Sequence, residues 1–206
     1  MYDMEMKPVQ THLENIKAAL ANSQIAIPLD LKLRLAELIL RTREARPNRW
    51  FGLFVILGWK ADWNEYTDIS DSAQDIFSGH PNIKDLPMQR SNAAARDIAS
   101  TLDFDGAILV DADGSILHSG VMIEGLRPRM VANTVNPGQF ADLSEQFGFT
   151  GKVHTRHLSA ITASYIFQPS MIITMSEETG DFHLYEQGKI VYTAAYDQTL
   201  NPVPGA

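Results

Sequence analysis

The stretch Met171-Ile172-Ile173-Thr174-Met175-Ser176-Glu177-Glu178-Thr179-Gly180 decides the fold of this chain. Its first five residues are mostly apolar and rich in β-branched side chains, which is typical of a buried strand. The alternating segment Phe182-His183-Leu184-Tyr185 that follows is typical of a half-buried strand. The residues from Ser176 to Gly180 therefore form the turn of a hairpin, with Gly180 supplying the positive φ that such turns need.

The predicted turn carries two adjacent carboxylates next to the hydroxyl of Ser176. Glu177 and Glu178 repel each other at the mouth of a sheet, and a metal ion or a positively charged partner relieves that repulsion best. An acidic turn that is simply solvated is the alternative, and taken alone it is the commoner case. The rest of the chain has to decide between these interpretations.

Further elements are predicted on both sides of the hairpin. A helix capped by His154 or Thr155 precedes it, and a Gln187-Gly188 turn leads to a last strand over residues 189–192. Far upstream, the segment from Phe51 to Leu57 is apolar on both faces. This pattern predicts a central strand covered by helices on each side.

The middle of the chain predicts a second hairpin. Asp105-Gly106-Ala107-Ile108-Leu109-Val110 is a strand with an acid at its entry, Asp113-Gly114 is a strong hairpin signal, and Ile116 to Ile123 is the returning strand. Residues 127–152 carry several Pro and Gly residues and are expected to be irregular, with one short helix from Gln139 to Phe147.

Helices are predicted at the N-terminus and ahead of the second hairpin. The apolar residues at helical spacing on the first helix are Val9, Leu13, Ile16 and Leu20. Pro28 stands where a second helix can begin, and the pattern continues to about Glu44. After a long connection without a clear pattern, 60–89, a further helix is capped by Ser91 or Asn92.

Composition narrows the class of protein. The chain has 206 residues, of which 45% are hydrophobic and 20% charged, so it can form a domain with a packed core. It has no cysteine, which excludes disulfides and thiolate metal sites, and its net charge of -8 argues against a surface for nucleic acid or an anionic membrane. Without a secretory signal pattern or a long apolar run, we expect a soluble cytoplasmic protein with neither membrane nor nucleic acid as partner.

Three clusters carry side chains that can do chemistry: Asp105-Gly106-Ala107, Thr155-Arg156-His157 and the turn from Ser176 to Gly180. Each stands where a predicted strand or helix begins or ends, and such edges are where α/β sheets bind their ligands. Arg156 and His157 in the first turn of a helix would add side-chain charge to free backbone N–H groups, which makes an anion site suited to phosphates. Carboxylates opposite them can hold a divalent cation that bridges phosphate oxygens.

Each cluster also has a purely structural explanation. Asp105 can sit in solvent, Arg156 can pair with a turn glutamate, and His157 can be a hydrogen-bonded core residue. The joint occurrence of the three clusters favours a functional site. Other motifs are absent: the chain has no Gly-x-x-x-x-Gly-Lys phosphate loop, no Gly-x-Gly-x-x-Gly, no His-Glu-x-x-His and no Gly-x-Ser-x-Gly. His154 and His157 by themselves make only an incomplete zinc site.

The three clusters, in this order and in these settings, resemble the motif series of the diadenylate cyclase (DAC) domain family. The residues that carry the resemblance are Asp105-Gly106-Ala107, Arg156-His157 with Ala160, and Ser176-Glu177-Glu178-Thr179-Gly180. With a weaker upstream likeness, it covers the chain from about Leu35 to Tyr192. Two departures stand out: Leu158 occupies a position where many members have a second arginine, and the 127–152 segment makes the separation between Asp105 and Arg156 longer than usual.

The resemblance implies an α/β fold with a central mixed β-sheet flanked by helices. It implies an N-terminal helical segment over 1–30, a nucleotide-binding catalytic domain over 31–196 and a loose tail over 197–206. Two such domains face each other as a homodimer, and each presents one ATP with Mg²⁺ or Mn²⁺. The 3′-hydroxyl of each ATP attacks the α-phosphate of the other, giving cyclic di-AMP and two pyrophosphates.

The resemblance also assigns roles. Asp105 would deprotonate or orient the 3′-hydroxyl, directly or through the metal, and Arg156 and His157 would act on the phosphates as catalytic residues. The residues expected to bind the nucleotide are Gly106, Ala107, Met122, Ile123, Thr155, Ser176 and Glu177. The expected metal ligands are Asp105 and Glu178.

Two other functions compete with a cyclase. Leu158 and the long 127–152 segment favour a DAC-like module that binds a nucleotide as a sensor without cyclising it. A scaffold protein with a degenerate pocket is the weaker third possibility.

Overall fold

A seven-stranded mixed sheet forms the centre of the computed structural model, which describes residues 9–46, 50–68, 72–77, 79–86 and 98–194. The strands are β1 (Leu53–Leu57), β2 (Thr67–Asp68), β3 (Ala107–Val110), β4 (Ile116–Ile123), β5 (Met171–Met175), β6 (Phe182–Glu186) and β7 (Lys189–Ala194). The α-helices are α1 (Val9–Ala19), α2 (Leu29–Glu44), α3 (Pro128–Val135), α4 (Leu143–Gln146) and α5 (Thr155–Ile166).

The strands lie across the sheet in the order β2-β4-β3-β1-β5-β6-β7. β1 and β3 are parallel, and the other neighbouring pairs are antiparallel. β1 holds the middle place and is buried along its whole length, because both faces of Leu53–Leu57 are apolar. The predicted α/β fold with a central mixed sheet, flanked by helices and preceded by N-terminal helices, is confirmed.

The two hairpins predicted from the sequence are present. Met175 pairs with Phe182 across the first of them, and Val110 pairs with Ile116 across the second. Gly180 adopts φ +67 in the turn, where a Cβ atom would also overlap the indole ring of Trp50. Glycine at this position thus serves both the turn and the approach of Trp50.

Helices cover the sheet on both faces. α1 and α2 pack on one face, where Ile16 and Leu35 join the core formed by Val55 and Leu57. α3 and α5 pack on the other, which we call the α5 face. The N-terminal helices therefore share a hydrophobic core with the sheet.

A buried ion pair ties α2 to β6. Lys32 Nζ lies 2.8 Å from Glu186 Oε1, with only 2% and 7% of the two side chains exposed. Ser23 bonds both partners: Lys32 Nζ donates to its Oγ at 2.7 Å, and that hydroxyl donates to Glu186 Oε2 at 2.7 Å. This arrangement connects the loop after α1, helix α2 and the sheet.

Removing one partner of this pair should be strongly destabilising. Lys32→Met leaves the Glu186 carboxylate buried without its cation, so we expect a loss of about 3–5 kcal/mol in the free energy of unfolding. Urea denaturation at neutral pH measures it. Lys17→Met on the exposed side of α1 is the control, with an expected change within about 0.5 kcal/mol. A Lys32→Met protein as stable as this control would contradict the assignment.

The structure corrects the expectation that residues 127–152 are mostly irregular. Pro128 opens helix α3 rather than breaking one, because a proline at the first helical position lacks only an N–H that would be unbonded anyway. The predicted helix 139–147 is shorter, Leu143–Gln146, and Asp142 caps it by accepting a bond from Glu145 N. The start of the helix expected after Ser91 or Asn92 lies outside the described residues, as does the predicted tail.

Candidate functional site

Several elements begin or end at one edge of the sheet. Leu53, which opens β1, pairs with Met175, which closes β5, and Met175 also faces Phe182 at the start of β6. β3 is parallel to β1 and begins at Ala107 beside it. The three sequence clusters therefore converge on this edge, where two clefts are formed.

The first cleft, which we call the Asp105 cleft, has a volume of about 230 Å³. It is lined by Trp50, Phe51, Gly52, Leu102, Asp103, Phe104, Asp105, Arg156 and Glu177. It brings together one residue from each cluster: Asp105, Arg156 and Glu177. These residues are far apart in the sequence, so their meeting depends on the order β3-β1-β5 in the sheet.

Arg156 lies between the turn and the segment that leads into β1. Its Nη2 donates to Glu177 Oε2 at 3.4 Å, and 30% of its side chain is exposed. A Cβ at Gly52 would come within 2.5 Å of the guanidinium, so the glycine lets the arginine lie flat on the backbone. The salt bridge foreseen as a structural explanation is present, yet a guanidinium has five N–H donors and this bond uses one of them.

Among the residues that the structure describes, carboxylates outnumber cations in this cleft. Asp103, Asp105 and Glu177 face it together with the guanidinium of Arg156. Such a cleft cannot attract a triphosphate unless a cation accompanies it. Oxygen ligands suit Mg²⁺ or Mn²⁺, although within the described residues no group of three or more side chains is arranged to hold a metal by itself. The carboxylates thus fit a cation that phosphate oxygens and water also coordinate.

The second cleft, which we call the histidine cleft, is larger, with a volume of about 500 Å³. It lies between the 148–154 loop, the start of α5, the turn, and strands β6 and β7. Glu178 faces this cleft, where its Oε2 lies 3.1 Å from His154 Nε2. Asp105 and Glu178, predicted to share one metal, therefore face different clefts.

His157 is a core residue rather than a surface cation. It is 8% exposed, and its Nδ1 lies 3.1 Å from both Thr174 Oγ1 and Tyr185 OH. Burial, then the nearby His183 and Arg156, lower the pKa of His157 to about 4. Burial also raises the pKa of Tyr185, which keeps its hydroxyl protonated and able to donate. The expectation that His157 adds positive charge to a phosphate site is wrong for neutral pH, because desolvation favours the uncharged ring.

The remaining predicted nucleotide residues occupy varied places. Ser176 Oγ accepts bonds from the N–H groups of Glu178 and Thr179 at 3.2 Å, so its hydroxyl organises the turn. Thr155 is exposed at the first position of α5. Neither of them lines the Asp105 cleft.

The residues predicted on the second hairpin lie beside the Asp105 cleft rather than in it. Gly106 has φ +90, and a Cβ there would come within 2.7 Å of the Val121 backbone, so the glycine serves the β3–β4 contact. Ala107 is buried and pairs with Val121. Met122 is 42% exposed on β4, whereas Ile123 packs on the α5 face.

Sequence reasoning missed the residues that precede β1 and β3. Trp50, Gly52 and Asp103 line the Asp105 cleft but belong to none of the three clusters. A signal for Gly52 exists, since it lies at the start of the segment from Phe51 to Leu57, which is predicted to be a central strand. Because β1 and β3 are parallel, the residues that precede them reach the same edge.

Acidification should destabilise the protein through its buried histidines. The pKa of His157 is about 4 in the folded state against 6.5 when unperturbed, and that of His183 is also lowered by burial, although Asp181 opposes both shifts. Between about pH 4 and pH 6.5 the unfolded chain therefore binds more protons than the folded chain. The stability is fully present above about pH 6.5 and is lost as the pH falls toward about 4, by up to about 3 kcal/mol for His157.

Urea denaturation across this pH range measures the loss. His157→Gln should flatten the profile, because it removes the titrating ring. A free energy of unfolding that does not vary between these pH values would contradict the burial of neutral histidines.

Comparisons with known proteins give limited likenesses. No protein-family model and no curated protein matches the sequence. Among solved structures, a hypothetical membrane spanning protein from Bacillus cereus is similar at a TM-score of 0.47 and 17% identity, over 91% of this chain and 79% of that one. A double mutant of DacA from Staphylococcus aureus is similar at a TM-score of 0.42 and 15% identity, over 79% of this chain and 87% of that one. In the described part of this chain, no helix is long and apolar enough to cross a membrane.

Proposed function

We propose that the chain is a diadenylate cyclase, which joins two ATP molecules into cyclic di-AMP across a homodimer and releases two pyrophosphates. The observation that supports this most is the Asp105 cleft, in which Asp105, Arg156 and Glu177 meet at one sheet edge. The three clusters that resemble the DAC motifs contribute one residue each. A cytoplasmic location, where ATP is available, goes with this proposal.

The cleft offers the two kinds of group that the reaction needs. The Asp105 carboxylate accepts the proton of the ribose 3′-hydroxyl or orients that hydroxyl for attack. Arg156 binds the triphosphate and stabilises the charge that develops on the leaving pyrophosphate. A carboxylate and a guanidinium that line the same cleft suit a nucleotide whose ribose meets one and whose phosphates meet the other.

Two chains are part of the mechanism. Each 3′-oxygen forms a bond to the α-phosphorus of the other nucleotide, the bond from that phosphorus to the β-bridging oxygen breaks, and pyrophosphate leaves with the electron pair. The proton passes to Asp105 or to water. One chain holds one nucleotide, so the reaction requires a second cleft that faces the first.

Other predicted residues take supporting roles in this proposal. Asp105 with Asp103 or Glu177 would hold Mg²⁺ or Mn²⁺, which supplies positive charge to the triphosphate. His157 is a positioning residue, because its bonds to Thr174 and Tyr185 anchor the start of α5 and thereby Arg156.

The test is direct. Purified full-length chain is incubated with ATP and Mn²⁺, and the products are identified by mass spectrometry. Cyclic di-AMP that accumulates in proportion to enzyme concentration is the expected result. Absence of any dinucleotide at high protein concentration, with Mg²⁺, Mn²⁺ and Co²⁺ each tried, would overturn the proposal.

A nucleotide-binding sensor is the second candidate. Among the described residues, Arg156 is the one cation that lines the Asp105 cleft, because His157 lines the histidine cleft and Leu158 packs on the α5 face. A single cation favours binding without turnover. Calorimetry decides between the two. Saturable ATP binding together with undetectable dinucleotide favours the sensor, whereas turnover that Asp105→Asn abolishes favours the cyclase.

A further inference from the structure

The histidine cleft has no role in the proposed reaction, although it is the larger of the two. Its volume of about 500 Å³ falls within the range that small-molecule sites occupy, whereas the Asp105 cleft measures about 230 Å³. Part of its wall, the loop that contains Phe149, belongs to the end of the 127–152 segment. The sequence resemblance treats this segment as an extension of the separation between Asp105 and Arg156.

Three rings line its interior. The centroids of His157 and His183 are 4.8 Å apart, and that of Phe149 lies 6.1 Å and 5.8 Å from them. All three residues are at most 9% exposed. Aromatic walls of this kind present faces and edges that suit a flat ring, which can stack on one member while its edge meets another.

One polar atom in this wall has no partner. His183 is 7% exposed and its Nδ1 makes no hydrogen bond, whereas Nδ1 of the neighbouring His157 has two hydroxyls within 3.1 Å. A buried nitrogen without a partner is costly, since it has lost its bond to water. A half-turn of the imidazole about its Cβ–Cγ bond exchanges the two edges of the ring, so a ligand in the cleft can satisfy this nitrogen.

The charges around the cleft select against ions. Burial lowers the pKa of both His157 and His183, so the interior carries no cation at neutral pH. Glu178 and Asp181 at the rim oppose an anion, and Lys152 opposes a cation. In the parts of the chain that the structure describes, no cluster of three or more side chains could hold a metal ion.

We propose that the histidine cleft is a second ligand site, which binds a small, neutral, planar nitrogen heterocycle of nucleobase size against the ring cluster of Phe149, His157 and His183, with His183 as its hydrogen-bond partner. An all-carbon ring would fill the same space but leave the His183 nitrogen unpaired. The ligand is therefore recognised by its ring nitrogen.

Benzimidazole, which has both a ring N–H and an acceptor nitrogen, is the probe, and indene is its all-carbon control. Each is titrated in mildly alkaline buffer into the full chain labelled with ¹⁵N-histidine, without ATP. We expect saturable shifts of the His157 and His183 ring signals with benzimidazole, at least about tenfold weaker binding of indene, and no shift of His118, which pairs with Asp75 and lines neither cleft.

Two variants complete the test. His183→Phe keeps a ring but removes its nitrogens, and should weaken benzimidazole binding at least about tenfold, while His118→Phe should not. If His183→Phe does not fold, the histidine ring signals of the native chain with benzimidazole and with indene test the proposal by themselves. The proposal is overturned by unshifted His157 and His183 signals at the solubility limit of the probe, by equal affinity for indene, or by loss of binding in Asp105→Asn, which would place the probe in the Asp105 cleft. Because ATP is absent, failure of the cyclase assay does not affect the outcome.

Discussion

Asp105→Asn is expected to lower the rate of cyclic di-AMP formation by about 10²–10⁴-fold. The substitution keeps the shape of the side chain but removes the carboxylate that accepts the proton of the attacking hydroxyl. Asp105 is exposed at the mouth of its cleft, so the free energy of unfolding should change by no more than about 0.5 kcal/mol. Initial rates at saturating ATP, with product measured by mass spectrometry, give the first quantity, and urea denaturation gives the second.

Asp30→Asn is the matched control, since Asp30 is exposed in the first turn of α2 and lines neither cleft. It should retain the full rate. A general base is expected to contribute far more than twofold to the rate. If the Asp105→Asn protein keeps a rate within about twofold of the native one, Asp105 does not act in the reaction.

Arg156→Gln is expected to lower kcat/KM by about 10²–10³-fold, because it removes a guanidinium that faces the nucleotide cleft. Arg156→Lys should give an intermediate loss, since lysine keeps the charge but not the planar pair of donors. Steady-state kinetics with ATP measure both effects. A substitution of Glu177, which pairs with Arg156 at 3.4 Å, distinguishes this catalytic role from a structural one. If the ion pair only supports the fold, Glu177→Gln and Arg156→Gln should lower the free energy of unfolding equally and leave the rate unchanged.

Arg41→Gln provides the control for loss of an arginine. Arg41 pairs with Glu37 on α2 at 2.8 Å and is exposed to solvent. Its loss should leave kcat/KM unchanged. Equal activity of the Arg156→Gln and Arg41→Gln proteins would contradict the phosphate role of Arg156.

Local pattern was sufficient for much of the fold. The apolar run of β5, the Gly180 turn and the alternation of β6 specify a hairpin without outside information, and the two-sided apolar surface of β1 specifies its central place. The Pro and Gly content of residues 127–152 predicts irregular structure and so misses helix α3, in which Pro128 stands at the first position. A proline can interrupt a helix or stand at its first position. Here the packing of Val131 and Ala132 on the α5 face favours a helix that begins at the proline.

The sequence predicts the three clusters of the candidate site, but it does not predict how their residues are divided between the two clefts. Arg156 and His157 are neighbours in sequence, yet successive helical side chains point about 100° apart, so one faces the Asp105 cleft and the other enters the core. Glu177 and Glu178, which are neighbours in the turn, also face different clefts. Trp50 lies in the site because β1 and β3 pair in parallel, and no local sequence pattern predicts that pairing.

The central claim is that two facing clefts each hold one nucleotide, with Asp105 acting on the sugar and Arg156 on the phosphates of the ATP bound to its own chain. Co-expression of Asp105→Asn and Arg156→Gln tests it most directly. In a mixed dimer, the chain with an intact Asp105 activates its nucleotide against the phosphate held by the intact Arg156 of the partner chain, while the opposite attack lacks both groups. The account predicts that the mixture makes the linear dinucleotide, with one pyrophosphate released, much faster than either variant alone, and that cyclic product stays low. A mixture no faster than its separate components would contradict it.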